Sequence, residues 1–317
     1  MPYLTIFTCP KPFTNPHIAI IQRNAIRSWL AMDADVEVLL LGDEEGLAET
    51  AAELGAHHIR EVQRNRYGTP LVSSLFDLAR QHSGSPYLAF VNTDILLMID
   101  FLQSTRLAAR RFEKFLLVGQ RYDLDVPELL DFRDGWAERL RARCREQGRL
   151  HPAGGSDYFI FPRDCYTHIP PLTVGRAGWD NWMIYWARRN GWRVIDATHS
   201  IQVIHQDHDY SHLPQGKPHY RLPESAENVQ IGGGKRTIFT LQDAEFRMVS
   251  GMIVPIRPSW KKFWREVEIF PLVHLHSAAL AHFTFALFHP RKAWQELRAW
   301  VASRRSKSRK HPIPTGE

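Results

Sequence analysis

A stretch of eight residues, Tyr87-Leu88-Ala89-Phe90-Val91-Asn92-Thr93-Asp94, passes from an apolar segment directly into polar side chains. The first five form a short apolar run, which is typical of a buried strand in a parallel sheet. The last three carry amide, hydroxyl and carboxylate oxygens. Because an open α/β sheet binds its ligands at the carboxyl ends of its strands, the sequence predicts a ligand site here.

The first hundred residues alternate between strand-like and helix-like patterns. Residues 3–8 and 36–41 are mostly apolar segments of strand length, and Asn15-Pro16 and Thr69-Pro70 each have the pattern of an N-cap followed by proline. Such alternation predicts right-handed crossovers. We therefore expect an α/β protein with a Rossmann-like, mainly parallel central sheet flanked by helices.

Later segments predict further elements. Residues 127–147 have a helical pattern, and the Pro/Gly-rich stretch from about 214 to 234 reads as loops. A helical extension is expected from residue 259 onward.

The positive charge lies in that extension. From Ser259 onward the sequence has eleven Lys or Arg and four Glu, a net charge of +7, whereas the whole chain carries +6. The preceding 258 residues therefore carry about −1, and a near-neutral body argues against a nucleic-acid partner.

Cysteine usage and the first residues bear on the compartment. The cysteines, Cys9, Cys144 and Cys165, are odd in number and widely spaced, which fits neither a disulfide framework nor a Cys-x-x-Cys metal site. The first residues lack a basic region followed by a long apolar stretch, so no signal peptide is predicted. We expect a cytoplasmic location.

Asp94 is the leading candidate for a metal ligand, because a carboxylate at a strand end is held rigidly and oxygen ligands suit Mn²⁺ or Mg²⁺. Asn92 could add an amide oxygen or bind a ribose hydroxyl. His205 or His208, at another predicted strand end, could complete the site with an imidazole. The alternatives are a simple Asx turn and loop histidines without a ligand role.

Asp180 stands at a predicted helix start after a glycine-rich approach, beside Trp179. A carboxylate fixed there could act as the general base that deprotonates an acceptor hydroxyl, and the indole could shield it or stack on a sugar. An ordinary N-cap aspartate is the alternative.

Four more polar residues are candidates for binding a nucleotide or its sugar: Thr8, Asp43, Ser156 and Asp157. Asp43 follows the second strand, where a Rossmann-like sheet places a carboxylate against ribose. Asp157 follows Gly154-Gly155, which permits close backbone approach to a ligand. Plain turns explain these positions nearly as well.

In their order along the chain, these segments resemble the glycosyltransferases of the GT-A fold, over about residues 3–212. In that superfamily an Asp-x-Asp element holds the metal and the nucleotide diphosphate, and Asn92-Thr93-Asp94 corresponds to it. The resemblance also implies a late histidine ligand at His205 or His208, and an acidic base at Asp180 in inverting members. Asn at the first position of the element departs from the pattern and implies weaker metal affinity.

The sequence thus predicts a metal-dependent glycosyltransferase that moves a sugar from a nucleotide-diphosphate donor to a hydroxyl of a saccharide or lipid-linked acceptor, with inversion if Asp180 is the base. Residues 1–258 would form the catalytic domain, with a nucleotide-binding half over about 1–100 and an acceptor-side half over 101–258. One alternative is a sugar-phosphate nucleotidyltransferase, although Cys9-Pro10-Lys11-Pro12-Phe13 lacks the glycine of its phosphate loop. A non-catalytic carbohydrate-binding or scaffold protein is the other.

The extension over 259–303 mixes aromatic and basic residues, and 304–317 is expected to be a disordered basic tail. Histidines within 269–288 argue against a helix that spans a membrane. We expect an interfacial helix and a peripheral position on an anionic membrane surface, bound through 259–310. Helices packed on the catalytic domain are the alternative.

Overall fold

The computed structural model describes residues 1–208 and 222–309, with side chains up to residue 302. The chain divides into two compact units, the first ending at Arg257 and the second beginning at Pro258. The first unit contains the sheets, and the second is helical.

Strands and helices alternate in the first unit. Its strands are β1 (Leu4–Thr8), β2 (Val36–Leu41), β3 (His57–Ile59), β4 (Tyr87–Val91), β5 (Ile95–Leu96), β6 (Phe115–Val118), β7 (Tyr122–Leu124), β8 (Arg149–Leu150), β9 (Tyr158–Pro162), β10 (Arg193–Asp196), β11 (Ile204–Gln206), β12 (Phe246–Val249) and β13 (Met252–Pro255). Its helices are α1 (Pro16–Leu30), α2 (Leu47–Leu54), α3 (Val72–His82), α4 (Asp100–Arg111), α5 (Trp136–Gln147), α6 (Trp179–Arg189) and α7 (Pro223–Ile231).

Within the described residues, nine strands form the central sheet in the order β13-β12-β10-β6-β9-β4-β1-β2-β3. Strands β3, β2, β1 and β4 are parallel, and so are β6, β10 and β12, whereas β9 runs antiparallel to both of its neighbours. Four short strands form a second sheet, β5-β11-β7-β8. The predicted α/β class, with a mainly parallel central sheet, flanking helices and a C-terminal helical extension, is confirmed.

The central strands are covered on both faces, which explains their continuous apolar sequences. Ile6 of β1 belongs to a core cluster that includes Trp29 of α1. The next residue, Phe7, points to the opposite face and packs edge-on against Phe76 of α3, with ring centroids 4.9 Å apart. This two-sided packing holds the carboxyl ends of β1, β2 and β4 at one edge of the sheet.

The helix boundaries follow the sequence signals in part. Asn15 caps α1 as predicted, because its side chain accepts the N–H groups of the first turn and Pro16 follows it. The cap predicted at Thr69 is wrong: α3 begins after Leu71, whose side chain cannot cap a helix.

Two other predicted boundaries were wrong. Helix α5 begins at Trp136 and not near 127, because Gly135 adopts a positive φ of 77° that breaks the backbone just before it. Residues 223–231 form helix α7 where loops were predicted, and Pro223 occupies its first turn, where the missing N–H costs nothing.

The second unit contains α8 (Trp260–Val273), α9 (Ala278–Phe288) and α10 (Pro290–Arg309). Ser259 and Ser277 cap the first two by accepting backbone N–H groups. Helix α10 continues into the segment predicted as a tail, of which 310–317 lies outside the described residues. No described helix has the length and apolar character needed to cross a membrane.

Candidate metal centre and active site

The turn after β4 meets the start of β9. These strands are antiparallel with Val91 opposite Tyr158, so the residue that follows β4 lies beside the residue that precedes β9. The backbone N–H of Asn92 donates to the carbonyl oxygen of Asp157 at 2.9 Å, and its side-chain Nδ2 donates to Asp157 Oδ1 at 3.0 Å. Asn92 is therefore anchored to the protein through both its backbone and its side chain.

Asp94 lies beside two histidines because β5 pairs with β11. In that pairing Ile95 is opposite His205, which places the preceding residue next to the end of β11. Oδ2 of Asp94 is 3.1 Å from Nε2 of His208 and 3.7 Å from Nε2 of His205. The three residues offer one ligand atom each within 4.8 Å of one another, so they can hold a single metal ion.

One carboxylate oxygen of this group has no hydrogen-bond partner among the described residues. Oδ1 of Asp94 is buried, and no described residue donates a hydrogen bond to it. A buried carboxylate oxygen normally has a donor, because leaving one unsatisfied costs about 1–3 kcal/mol. The donor set of one carboxylate and two imidazoles therefore fits a divalent cation, which would satisfy this oxygen.

The electrostatics keep Asp94 ionised. Burial by itself would raise the pKa of Asp94, but attraction to His205 and the hydrogen bond from His208 lower it. Lys11, in the loop after β1, adds a further attraction, and the resulting pKa of Asp94 lies well below its usual range. An ionised carboxylate is the form that binds a metal.

The other ring nitrogen of His205 lies close to a second carboxylate, that of Asp123. Nδ1 lies 3.2 Å from Oδ1 of Asp123 on β7 and 3.9 Å from Oδ1 of Asp207. These three residues form a second group with ligand atoms within 4.8 Å of one another. Burial lowers the pKa of His205, which favours the neutral imidazole that metal coordination requires.

Arg121 links the metal group to Asp157. Its Nη1 donates to Asp157 Oδ1 at 2.7 Å, and its Nε donates to Asp123 Oδ1 at 2.9 Å. His151 lies 2.8 Å from the other oxygen of Asp123. Burial tends to raise the pKa of Asp123, but these partners outweigh it and the pKa is lowered. One guanidinium thus orients both carboxylates.

Asp180 lies in the first turn of α6 and is not its N-cap, which is Gly178. Its Oδ1 accepts the N–H of Gly178 at 3.3 Å, and the N–H groups of Asn181 and Ser156 also stabilise its charge. Burial and repulsion from Asp157 outweigh these hydrogen bonds and raise the pKa of Asp180 to about 6. A carboxylate with this pKa can accept a proton near neutral pH.

The structure places Trp179 in the core rather than in an open cleft. It is 4% exposed and packs edge-on against Phe90 at 5.0 Å and against Phe159 at 5.3 Å. Trp182 is equally buried. The rings beside Asp180 support helix α6, and their burial leaves Trp179 a packing role rather than the predicted stacking on a sugar.

Asp43 lies at the same edge of the sheet, after β2. The strand order places β1 between β2 and β4, so their ends are separated by roughly 10 Å at the usual strand spacing. Arg64 pairs with Asp43 at 2.6 Å, and both line a cavity of about 480 Å³ with Arg60, Glu61 and Val62. The remaining predicted residues lie at this edge too: Thr8 and Thr93 are buried, and Ser156 is partly buried.

Two residues of the site have no recognisable signal in the sequence. Asp123 is the middle residue of the three-residue strand β7, which is too short to show a pattern. Its position in the site depends on the pairing of β7 with β11. Gln22 fixes the backbone of Lys11 with two hydrogen bonds. The N–H of Lys11 donates to Gln22 Oε1 at 2.6 Å, and Gln22 Nε2 donates to the carbonyl oxygen of Lys11 at 2.8 Å.

No model of a protein family matches the chain, and no curated protein matches it either. Several solved structures are similar to it. The mannosyltransferase PcManGT from Pyrobaculum calidifontis, in complex with GDP-Man and Mn²⁺, is 13% identical over 95% of this chain and 80% of its own, with a TM-score of 0.47. Glucosyl-3-phosphoglycerate synthase from Mycobacterium tuberculosis, in complex with Mg²⁺ and uridine-diphosphate, is 15% identical over 65% of this chain and 72% of its own, with a TM-score of 0.42.

S. aureus TarS 1-349 is 11% identical over 41% of this chain, with a TM-score of 0.30, and the match spans 39% of the TarS chain. These likenesses are distant and concern the fold alone.

Proposed function

We propose that the protein is a metal-dependent glycosyltransferase that moves a sugar from a nucleotide-diphosphate donor to an acceptor hydroxyl. The observation that carries the proposal is the buried Oδ1 of Asp94, to which none of the described residues donates a hydrogen bond, beside the Nε2 atoms of His205 and His208. These atoms lie at the carboxyl edge of a parallel sheet, which is where α/β proteins bind nucleotides.

Asp94, His205 and His208 would hold the ion. Two imidazoles among the ligands favour Mn²⁺ over Mg²⁺, which prefers oxygen ligands alone. When bound, the ion would neutralise charge on the diphosphate as the bond between sugar and phosphate breaks. Lys11 is a candidate for a second positive charge, since it interacts with Asp94.

The remaining edge of the sheet would bind the rest of the donor. Asp43 borders a cavity of about 480 Å³, which suits a nucleoside, and it is the candidate for a ribose contact. Thr8, Asn92, Thr93 and Ser156 supply hydroxyl, amide and backbone groups between Asp43 and Asp157. Because Asp157 is already bonded to Arg121 and Asn92, we expect it to orient these residues and to contact the sugar only through a remaining lone pair.

Asp180 would act as the general base for the acceptor hydroxyl. Its carboxylate has a raised pKa of about 6, which suits this role, and the charge of Asp157 contributes to that shift. Attack by a hydroxyl that Asp180 deprotonates, opposite the leaving diphosphate, would invert the configuration of the sugar. The acceptor is a saccharide or a lipid-linked saccharide in this proposal.

The test measures the thermal unfolding midpoint with UDP-, GDP-, CMP- and dTDP-linked sugars, each with and without Mn²⁺. A ligand at 100 times its dissociation constant stabilises the native state by about 2.7 kcal/mol. We expect one nucleotide class to raise the midpoint only with Mn²⁺, and this shift to vanish in Asp94→Ala. Asp164→Ala removes a largely exposed carboxylate of the same unit and should retain the full shift.

Product analysis separates the remaining possibilities. Release of nucleoside diphosphate with a glycosylated acceptor is the expected result. Release of pyrophosphate when the protein is instead given a nucleoside triphosphate and a sugar 1-phosphate would identify a nucleotidyltransferase, and binding without turnover would identify a carbohydrate-binding protein. No shift with any nucleotide, with or without metal, would refute the proposal.

A further inference from the structure

Helix α9 exposes an apolar face. The side chains on its outer side are Ala279, Leu280, His282, Phe283, Ala286 and Leu287, and all but one are apolar. Phe283 and Leu287 are each 67% exposed. The opposite side has Ala281 buried, Phe285 and Phe288 partly buried, and Thr284, whose hydroxyl donates to the carbonyl oxygen of Glu268 at 3.0 Å. A helix with apolar side chains on nearly all sides is normally buried, so its outer face requires a cover.

Helix α8 adds an exposed aromatic stripe. Trp260, Phe263, Trp264, Val267 and Phe270 recur at helical spacing, and all are exposed. The rings of Trp260, Phe263 and Trp264 lie within 6.3 Å of one another. Trp264 also contacts Phe288 of α9 at 5.6 Å, which makes the stripe continuous with that helix.

Helix α10 continues the pattern within the same unit. Trp294, Leu297 and Trp300 are exposed along one side of it. Monomeric proteins rarely expose contiguous apolar patches of more than a few hundred Å², and larger ones mark interaction surfaces. We call the exposed apolar residues of α8, α9 and α10 the apolar surface of the second unit.

Basic residues flank this surface. Between Ser259 and Arg298 there are six Lys or Arg (Lys261, Lys262, Arg265, Arg291, Lys292 and Arg298) against three Glu. Lys262 and Arg265 are paired with Glu266 and Glu268, whereas Arg291 and Lys292, at the start of α10, are exposed. The sequence adds five more basic residues at 304, 305, 307, 309 and 310.

We propose that the second unit docks the protein on an anionic phospholipid surface, with the outer face of α9 inserted among the acyl chains and the flanking cations at the headgroups. Helices that lie in a membrane interface typically combine tryptophan and phenylalanine with lysine and arginine. Each cation near such a surface strengthens binding. A second copy of the chain would bring the same positive charge to the contact, which is why lipid is the better occupant.

The test is sedimentation of the full-length protein with vesicles of phosphatidylcholine alone and of phosphatidylcholine with phosphatidylglycerol at roughly 3:1. We expect binding to the anionic vesicles, weakened by salt because charges are screened. The double variant Phe283→Glu/Leu287→Glu should reduce partitioning by roughly tenfold or more, because it replaces the two most exposed apolar side chains of α9.

Two comparisons sharpen the result. Leu129→Glu changes a leucine of the first unit that is also about half exposed, so it should bind vesicles like the unaltered protein. Arg291→Glu/Lys292→Glu should weaken binding to anionic vesicles by roughly tenfold and leave any binding to phosphatidylcholine unchanged. Acidic residues suit the first turn of a helix, so the fold of α10 should be kept.

The proposal would be overturned if the protein bound neither kind of vesicle. It would also be overturned if the α9 variant bound anionic vesicles as strongly as the unaltered protein does. A dimer in light scattering that the α9 variant converts to a monomer, with no vesicle binding, would show that the apolar surface joins two copies and would refute the lipid assignment. The assay needs neither metal nor nucleotide, so its outcome is independent of the proposed transferase activity.

Discussion

Nδ1 of His205 lies 3.2 Å from Oδ1 of Asp123, while Nε2 of the same ring faces Asp94. Nδ1 has no hydrogen-bond partner among the described residues, but the charge of the neighbouring carboxylate favours a proton on that nitrogen, which leaves the lone pair of Nε2 available. Asp123 is fixed in turn by Arg121 and His151. In the proposed site Asp123 therefore orients the ligand His205 and is not itself one of the three proposed ligands.

Asp123→Asn should weaken Mn²⁺ binding about 10- to 100-fold, which is the usual effect of removing a partner of a metal-bound histidine. The measurement is a calorimetric or electron paramagnetic resonance titration with Mn²⁺. Asp164→Asn, which changes an exposed carboxylate, should bind as before. Equal affinity in the two variants would show that Asp123 does not orient His205.

Asn92→Asp should destabilise the protein without improving metal binding. Nδ2 of Asn92 donates to Oδ1 of Asp157 at 3.0 Å, so a carboxylate at 92 would place two negative oxygens in contact. Loss of the hydrogen bond together with this repulsion should cost about 1–3 kcal/mol of unfolding free energy.

Urea unfolding near neutral pH measures this loss. When Asp157→Asn is added to Asn92→Asp, the amide at 157 can donate to the carboxylate at 92, so the hydrogen bond is restored with donor and acceptor exchanged. Arg121 still has Asp123 as a partner in this double variant. The double variant should therefore recover most of the lost stability. A single variant as stable as the unaltered protein, or one with tighter Mn²⁺ binding, would contradict the role given to the amide.

The fold could be predicted from sequence because its strands are buried on both faces and its helix caps are local. An apolar run such as Val36–Leu41 and a cap such as Asn15 are recognisable without tertiary information. The second sheet could not be predicted, because strands of two or three residues have no measurable periodicity. Its pairing of β5 with β11 is what brings Asp94 to His205 and His208.

The candidate site could be predicted only as a set of strand-end polar residues. Sequence reasoning found Asp94, Asp180 and both histidines, and their roles stay predictions. It could not distinguish a tryptophan that packs from one that lines a cleft, so Trp179 was assigned to the sugar. It also missed Lys11 and Asp123, whose importance depends on contacts between residues far apart in the chain.

Lys11→Gln should change metal and donor affinity in opposite directions. Lys11 interacts with the negative charge of Asp94, and burial lowers the pKa of Lys11 while that attraction opposes the shift. A cation at this place repels a divalent ion but attracts a diphosphate. We expect Mn²⁺ alone to bind several-fold more tightly to the variant, and the nucleotide-sugar with Mn²⁺ to bind several-fold more weakly.

Titrations with Mn²⁺, and then with donor at saturating Mn²⁺, measure the two effects separately. Lys114→Gln removes an exposed lysine of the same unit and should change neither. If both affinities fall together, Lys11 supports the loop after β1 and has no electrostatic role.

Asp180→Asn should abolish sugar transfer and stabilise the protein at neutral pH. Burial raises the pKa of Asp180 to about 6, from 3.8 for an ordinary aspartate. Between these two pH values the native state binds more protons than the unfolded state, so stability falls as the pH rises. Since one pKa unit corresponds to about 1.4 kcal/mol, the ionised carboxylate costs about 3 kcal/mol above pH 6. Asn keeps an oxygen that can accept the N–H of Gly178 and carries no charge.

The difference in unfolding free energy between Asp180→Asn and the unaltered protein should therefore be small at pH 4 and reach its full size above about pH 6. In the unaltered protein, kcat/KM for transfer should fall as the pH decreases below about 6, because the base becomes protonated. Asp164→Asn should show neither the loss of transfer nor the pH-dependent gain in stability. Residual transfer in Asp180→Asn with an unchanged pH profile would show that another group takes the proton. A difference in stability that does not vary with pH would show that the carboxylate of Asp180 is not held at a raised pKa.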